Sequence, residues 1–123
     1  MEAKRVGIAW AAHRPMRMLA AVGVAAFALG APLAHAAKRI IVIDNMQFAP
    51  VSVTVQPGDE VTWENKDLVA HTATADGAFD SHVIAPGGSW TYAARAPGRY
   101  AYGCSLHPSM KATLIVKKME KRP

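Results

Sequence analysis

Apolar and polar residues alternate along much of the chain after residue 37, which is the pattern of half-buried β-strands. Six segments either alternate or are rich in β-branched residues, and we predict strands over 38–44, 51–55, 60–65, 89–94, 99–104 and 111–117. Pro-Gly pairs at 57–58, 86–87 and 97–98 lie between some of them and favour tight turns. A bend is expected over 46–50, a weak alternation over 71–75 and a loop over 76–81. Because no segment shows a helical period, we predict an all-β sandwich or barrel.

The first 36 residues have a different pattern. An apolar run over 19–33 follows Lys4, Arg5, Arg14 and Arg17, and it is followed by the small-x-small sequence at 34–36. This is the layout of a secretory signal peptide, so we predict a signal peptide at 1–36, cleavage after Ala36, and a periplasmic domain at 37–123 in a bacterium. A retained membrane anchor is the alternative, although a span needs about 18–20 apolar residues. Met16 and Met18 are alternative start sites.

Charge excludes one class of partner, and the cysteine count directs attention to a metal. Residues 37–123 contain 10 Lys and Arg and 8 Asp and Glu, a net charge of +2. We see no basic surface large enough for nucleic-acid binding. Cys104 is the only cysteine, so it cannot form a disulfide within the chain. In an exported protein, such a residue indicates a reactive thiol, an intermolecular bridge or a metal ligand.

The residues that follow Cys104 support the interpretation that it is a metal ligand. His107 and Met110 come at successive intervals of three positions, so a thiolate, an imidazole and a thioether share one short segment. Thiolate and thioether ligands select Cu(I), and imidazole also suits copper. His71, at the start of the weak alternation, is the expected second imidazole. In a sandwich the loops cluster at the two ends, so His71 and the 104–110 segment can meet there.

These residues and their neighbours resemble the cupredoxins, the type 1 blue copper proteins, and especially the amicyanin- and plastocyanin-like group. The matching segments are 55–65 (VQPGDEVTWEN), His71, 96–102 (APGRYAY) and 104–110 (CSLHPSM). The resemblance implies a small Greek-key β-sandwich that holds one copper ion cycling between Cu(II) and Cu(I). It implies a trigonal plane of His71, Cys104 and His107, with Met110 as the weak axial ligand.

The resemblance also implies a mobile electron carrier and not an enzyme, because four filled ligand positions leave none open for a substrate. We expect electrons to pass through the edge of His107 and a small apolar face that includes Leu68, Leu106 and Pro108. The expected partners are redox proteins, a donor dehydrogenase and an acceptor cytochrome or oxidase, which dock on a monomer through weak interfaces. We expect no nucleic acid, and no membrane insertion once the signal has been removed.

Two positions depart from the family pattern, and two other functions remain open. Thr72 stands where the family often has Asn, and Gly103 stands where it often has an aromatic residue or His. A periplasmic copper carrier or buffer is the main alternative, and its spare ligands would be Met46, His82 and Met119. A zinc or thiol enzyme is disfavoured, because thioether is foreign to zinc and no catalytic set accompanies the cysteine.

Overall fold

A computed structural model describes residues 36–120 continuously and, before them, only Gly7, residues 20–26 and Gly30. The chain divides into two compact units, Met1–Pro32 and Leu33–Pro123. Most of the predicted signal peptide at 1–36 therefore lies outside the described residues. Within the described part, no helix is long and apolar enough to cross a membrane.

The second unit is built from β-strands alone in its described part. In chain order they are β1 (Lys38–Asp44), β2 (Gln47–Ala49), β3 (Ser52–Val55), β4 (Glu60–Asn65), β5 (Thr74–Ala75), β6 (Phe79–Asp80), β7 (Ser89–Ala93), β8 (Gly98–Cys104) and β9 (His107–Val116). One sheet has the order β2-β1-β4-β7 and the other β3-β9-β8-β5-β6. Pairs β1–β4 and β3–β9 are parallel, and the remaining pairs are antiparallel. The predicted all-β sandwich is confirmed.

The core lies between the two sheets and follows the alternation of the sequence. In β4 the buried positions are Val61, Trp63 and Asn65, each separated by a half-buried residue. Trp63 is fully buried and lies 5.5 Å, ring centre to ring centre, from Tyr102 of the opposite sheet. Phe48 packs edge-on against the same Tyr102 at 4.9 Å. These aromatic rings fix the distance between the sheets and hence the position of Cys104, two residues after Tyr102.

Three segments differ from the sequence prediction. The bend at 46–50 contains β2, which pairs with β1, and the loop at 76–81 contains β6, which pairs with β5. The last strand begins at His107 and not at Lys111, because Cys104 pairs with His107 and closes the turn after only two residues. Short strands of this kind escape periodicity analysis, since two or three residues cannot show a period.

Candidate metal centre

The hairpin of β8 and β9 places three of the four expected ligands. Cys104 ends β8, His107 begins β9, and only Ser105 and Leu106 separate them. The register then shifts: Gly103 faces Lys111, so residues 108–110 form an extra segment on β9 that has no opposing residues. Such bulges redirect side chains. Pro108 fits there because a residue outside the ladder needs no N–H donor.

The fourth expected ligand, His71, is held by a neighbouring segment and not by a long strand. It forms an isolated antiparallel bridge with Ile84, in which its N–H donates to Ile84 O at 3.2 Å and its carbonyl accepts from Ile84 N at 2.7 Å. Its side chain is fully buried. Both main-chain hydrogen bonds keep the imidazole aimed at the end of β8.

The donor atoms of the two histidines and Cys104 converge on one point. His71 Nδ1 lies 3.1 Å from His107 Nδ1, and Cys104 Sγ lies 3.7 Å and 3.5 Å from those two nitrogens. A metal bonded at about 2.0 Å to nitrogen and about 2.3 Å to sulfur, with bonds roughly 120° apart, separates nitrogens by about 3.5 Å and nitrogen from sulfur by about 3.7 Å. The triangle therefore fits a trigonal metal with little movement.

Met110 completes the donor set from the bulge. It is 3% exposed and lines the same pocket as Cys104, Gly103 and Pro108. Among the described His, Cys, Asp and Glu residues, His71, Cys104 and His107 are the one group close enough to share an ion. With the thioether they form a type 1 copper-like site, because this soft and intermediate donor set is the one that copper prefers.

Thr72 ties the His71 segment to the Cys104 turn, in the place where the family often has Asn. Its N–H donates to Cys104 Sγ at 3.3 Å, and its Oγ1 accepts from Ser105 N at 2.9 Å. The same hydroxyl contacts Ser105 Oγ at 3.0 Å. Threonine thus provides a brace between the two segments, and its N–H also stabilises negative charge on the sulfur.

Asp67 is a further residue of the site, and the sequence analysis missed its role. Its Oδ2 lies 2.7 Å from His71 Nε2, the nitrogen turned away from the metal position. Its oxygens also accept from Asn45 N at 2.7 Å and Met46 N at 3.0 Å. The Met46 N–H, together with His71 and the Asn45 N–H, holds the pKa of Asp67 below its ordinary value of 3.8, against desolvation. A carboxylate in this position fixes the tautomer and orientation of a ligating histidine.

Asn65 holds the backbone of Asp67 in place. Its Oδ1 accepts from Asp67 N at 3.0 Å, and its Nδ2 donates to the carbonyls of Val69 and Ile84 at 2.9 and 3.0 Å. Asn65 is 1% exposed, and its side-chain hydrogen bonds hold the 65–71 segment and the Ile84 segment together. These hydrogen bonds hold the turn that leads to His71.

Of the three spare donors of the sequence, two lie away from this cluster and Met46 does not present its sulfur to it. His82 is in a solvent-exposed segment beside Asp80, with a left-handed backbone. Met119 follows the far end of β9, whereas the site is at its beginning. Met46 is 41% exposed, and its backbone, not its sulfur, bonds to Asp67.

A two-sheet β-sandwich with a buried Cys, two His and a Met at one end defines the class of type 1 copper proteins. The Cupredoxin-like domain family model matches residues 18–116, and the chain belongs to this family. It is 31% identical to Amicyanin-alpha of Methylorubrum extorquens, over 83% of this chain and all of that protein. It is 30% identical to the methylamine utilization protein MauL of Methylophilus methylotrophus, over 94% of this chain and 74% of MauL.

The fold is shared with solved structures at lower identity. A point variant of amicyanin in the Cu(I) state superposes with a TM-score of 0.62 at 20% identity, covering 65% of this chain and 82% of that one. The predicted family, the sandwich and the copper cofactor are thus confirmed, and the roles of individual ligands remain a prediction.

Proposed function

We propose that the chain is an exported, mobile carrier of single electrons, with His71, Cys104 and His107 as the plane of copper ligands and Met110 as the axial ligand. The observation that carries this is the 3.1–3.7 Å triangle of donor atoms formed by two separate segments. Bound copper would supply a Cu(II)/Cu(I) couple. The relatives named amicyanin, one of them solved in a Cu(I) form, support a copper redox role. The predicted signal peptide would deliver the chain to the periplasm.

The protein's part is to hold the donors in one arrangement and to exclude water. His71 and Cys104 are 0% and 3% exposed, so solvent has no direct path to their side of the site. The Ile84 bridge, the Thr72 brace and the Asp67 hydrogen bond each fix a ligand from outside. Because these ligands are held in place, they do not rearrange when the copper changes its oxidation state. An electron is then transferred with little reorganisation of the site.

His107 provides the exit for the electron, since it is the half-buried ligand among buried ones. Exposed apolar residues lie on or beside the segments that hold His71 and His107, and we call them the apolar rim: Met46, Leu68, Val69, Val83, Leu106 and Pro108. Leu106 and Pro108 flank His107, and Leu68 and Val69 precede His71. Leu68 is 95% exposed, and several exposed apolar residues together are typical of an interaction site. A redox partner would dock there through a small, transient interface.

Electron self-exchange between two copies tests this without knowledge of the partner. In the copper-loaded protein we expect a reversible one-electron couple and a self-exchange rate that Leu106→Ser lowers several-fold. Ile40→Ser, at an exposed position on β1, is the matched control and should leave the rate unchanged. The absence of a reversible couple would refute the electron-carrier function. Equal effects of Leu106→Ser and Ile40→Ser on the self-exchange rate would refute the docking face.

Copper delivery is the second candidate, and burial of the ligands counts against it. A delivery protein needs a labile, accessible site, whereas here His71, Cys104 and Met110 are each 3% exposed or less. We expect slow copper release to an excess of a strong chelator. Release within seconds would favour delivery over electron transfer.

A further inference from the structure

The carboxylate of Asp59 holds the backbone nitrogen of Ala37 at the start of β1. Asp59 Oδ1 accepts from Ala37 N at 2.9 Å, and Oδ2 accepts from Gln56 N at 2.9 Å. Glu60 N also donates to Ala37 O at 2.9 Å. Ala37 is therefore anchored on both sides, although its own side chain is exposed. This anchor lies at the other end of β1 from Asn45 and Met46, which bond to the metal-site residue Asp67.

Asp59 is 9% exposed, and within residues 36–120 it forms no ion pair. Arg39 and Lys117 line the same surface pocket, but neither is within ion-pair distance. Two neutral N–H groups therefore face a nearly buried negative charge. A carboxylate removed from water in this way is costly unless a positive charge accompanies it.

Ala37 is also the residue that the predicted cleavage after Ala36 would make the first of the exported chain. Hydrolysis breaks the Ala36–Ala37 peptide bond; water supplies a hydroxyl to the new Ala36 carboxyl group and a hydrogen to the Ala37 nitrogen. With an ordinary pKa of about 8, that amine takes up a further proton at neutral pH. The nitrogen 2.9 Å from Asp59 would change from a neutral donor to a cation with three donors.

We propose that Asp59 is a binding site for the α-ammonium group that signal cleavage creates on Ala37, so that processing supplies the missing counter-charge and strengthens the fold. The proposal rests on the export and cleavage in the proposed function, and it does not depend on copper. If Asp59 served only to cap the 56–59 turn, the charge on residue 37 would not matter. The ionic and the capping roles therefore make different predictions.

The test uses the full chain, exported by a Gram-negative host, loaded with copper and analysed for its first residue by mass spectrometry. One variant inserts Ser-Gly between residues 36 and 37, which keeps the Ala37 N–H but moves the ammonium away by up to about 7 Å. The insertion is made in the parent chain and in Asp59→Asn. We expect the insertion to lower Tm by about 4–8 °C in the parent and by much less in Asp59→Asn.

If the insertion lowers Tm equally in the parent and in Asp59→Asn, or does not lower it in the parent, the proposed ion pair between Asp59 and the α-ammonium group is refuted. If the processed parent chain begins at a residue other than Ala37, the premise of the proposal is wrong. Neither result bears on the copper site. Should Asp59→Asn not accumulate, the rate of amine labelling at pH 7 decides. We expect the parent α-amine to react several-fold more slowly than the amine of the inserted form. Because Ala37 is exposed, shielding does not explain such a difference, and equal rates refute the proposal.

Discussion

Gly103→Ala should damage the metal centre without replacing a ligand. Gly103 comes directly before Cys104, at the point where the β8–β9 register shifts. A Cβ on this residue would lie 2.6 Å from the carbonyl oxygen of Met110 and 3.7 Å from its carbonyl carbon. An ordinary contact is at least about 3.4 Å, so the methyl group is about 0.8 Å too close to a main-chain atom. The glycine is required because the bulge folds back over it.

The clash cannot be relieved by a side-chain rotation, since the opposing atom belongs to the backbone. Either Cys104 or Met110 must move, and both belong to the site. Overpacking of this kind costs about 1–3 kcal/mol, and each kcal/mol lowers Tm by about 4–8 °C in a domain of this size. We expect Tm to fall by about 5–20 °C and the thiolate-to-copper absorption band to shift or weaken.

Thermal unfolding and the visible spectrum of the copper-loaded protein measure the two effects. Ala101→Ser adds one heavy atom at an exposed position on the same strand, and it should change neither quantity. If Gly103→Ala unfolds within about 2 °C of the parent and keeps its band, the bulge does not constrain Cys104 and Met110.

Three further changes test the surroundings. Asp67→Asn removes the charge beside His71 and should weaken copper binding about 10–100-fold in chelator competition, the usual cost of losing such a partner; unchanged affinity would argue against that role. The His82 N–H, and after it the Thr74 hydroxyl, hold the pKa of Asp80 below 3.8 in the folded protein. The ionised Asp80 therefore stabilises the fold above pH 3.8, and this stabilisation is lost as the pH falls through the lower pKa of the folded state. The urea midpoint of the parent should exceed that of Asp80→Asn by less at pH 2 than at pH 6, and a constant difference would contradict this. Burial raises the pKa of Tyr102 to about 12, although the nearby Trp63 side chain acts in the opposite direction. Among the described residues neither the Tyr102 hydroxyl nor Trp63 Nε1 has a partner with hydrogen-bond geometry, so Tyr102→Phe should leave the urea midpoint unchanged or higher; a clear loss would show that the two groups bond to each other.

The long strands could be predicted because their chemistry is local. The segment 60–65 alternates without exception, and β4 has the same bounds and the same alternation of burial. The ligand residues could be proposed for a similar reason, since Cys104, His107 and Met110 are an unusual set of donors at short spacing. Nothing local distinguishes His71 from a core histidine, so its prediction depended on the need for a second imidazole and on the clustering of loops at the ends of a sandwich.

The supporting residues could not be predicted, because their partners are distant in sequence. Asp67 bonds to Asn45, which is 22 positions earlier, and its one local signal is the four-residue spacing to His71. The bond between Asp59 and Ala37 also spans 22 positions. The local sequence around Pro108 favoured a loop, yet Pro108 lies within β9. The bulge accommodates it, because a residue outside the ladder does not need to donate a main-chain hydrogen bond.

The central claim is that Cys104 bonds to copper in a trigonal site, and the visible spectrum of the protein with Cu(II) tests it most directly. We predict an intense blue thiolate-to-copper charge-transfer band that ascorbate bleaches, that Cys104→Ala abolishes and that His82→Ala, outside the site, leaves intact. Copper binding without this band, or a band that persists in Cys104→Ala, would contradict the account.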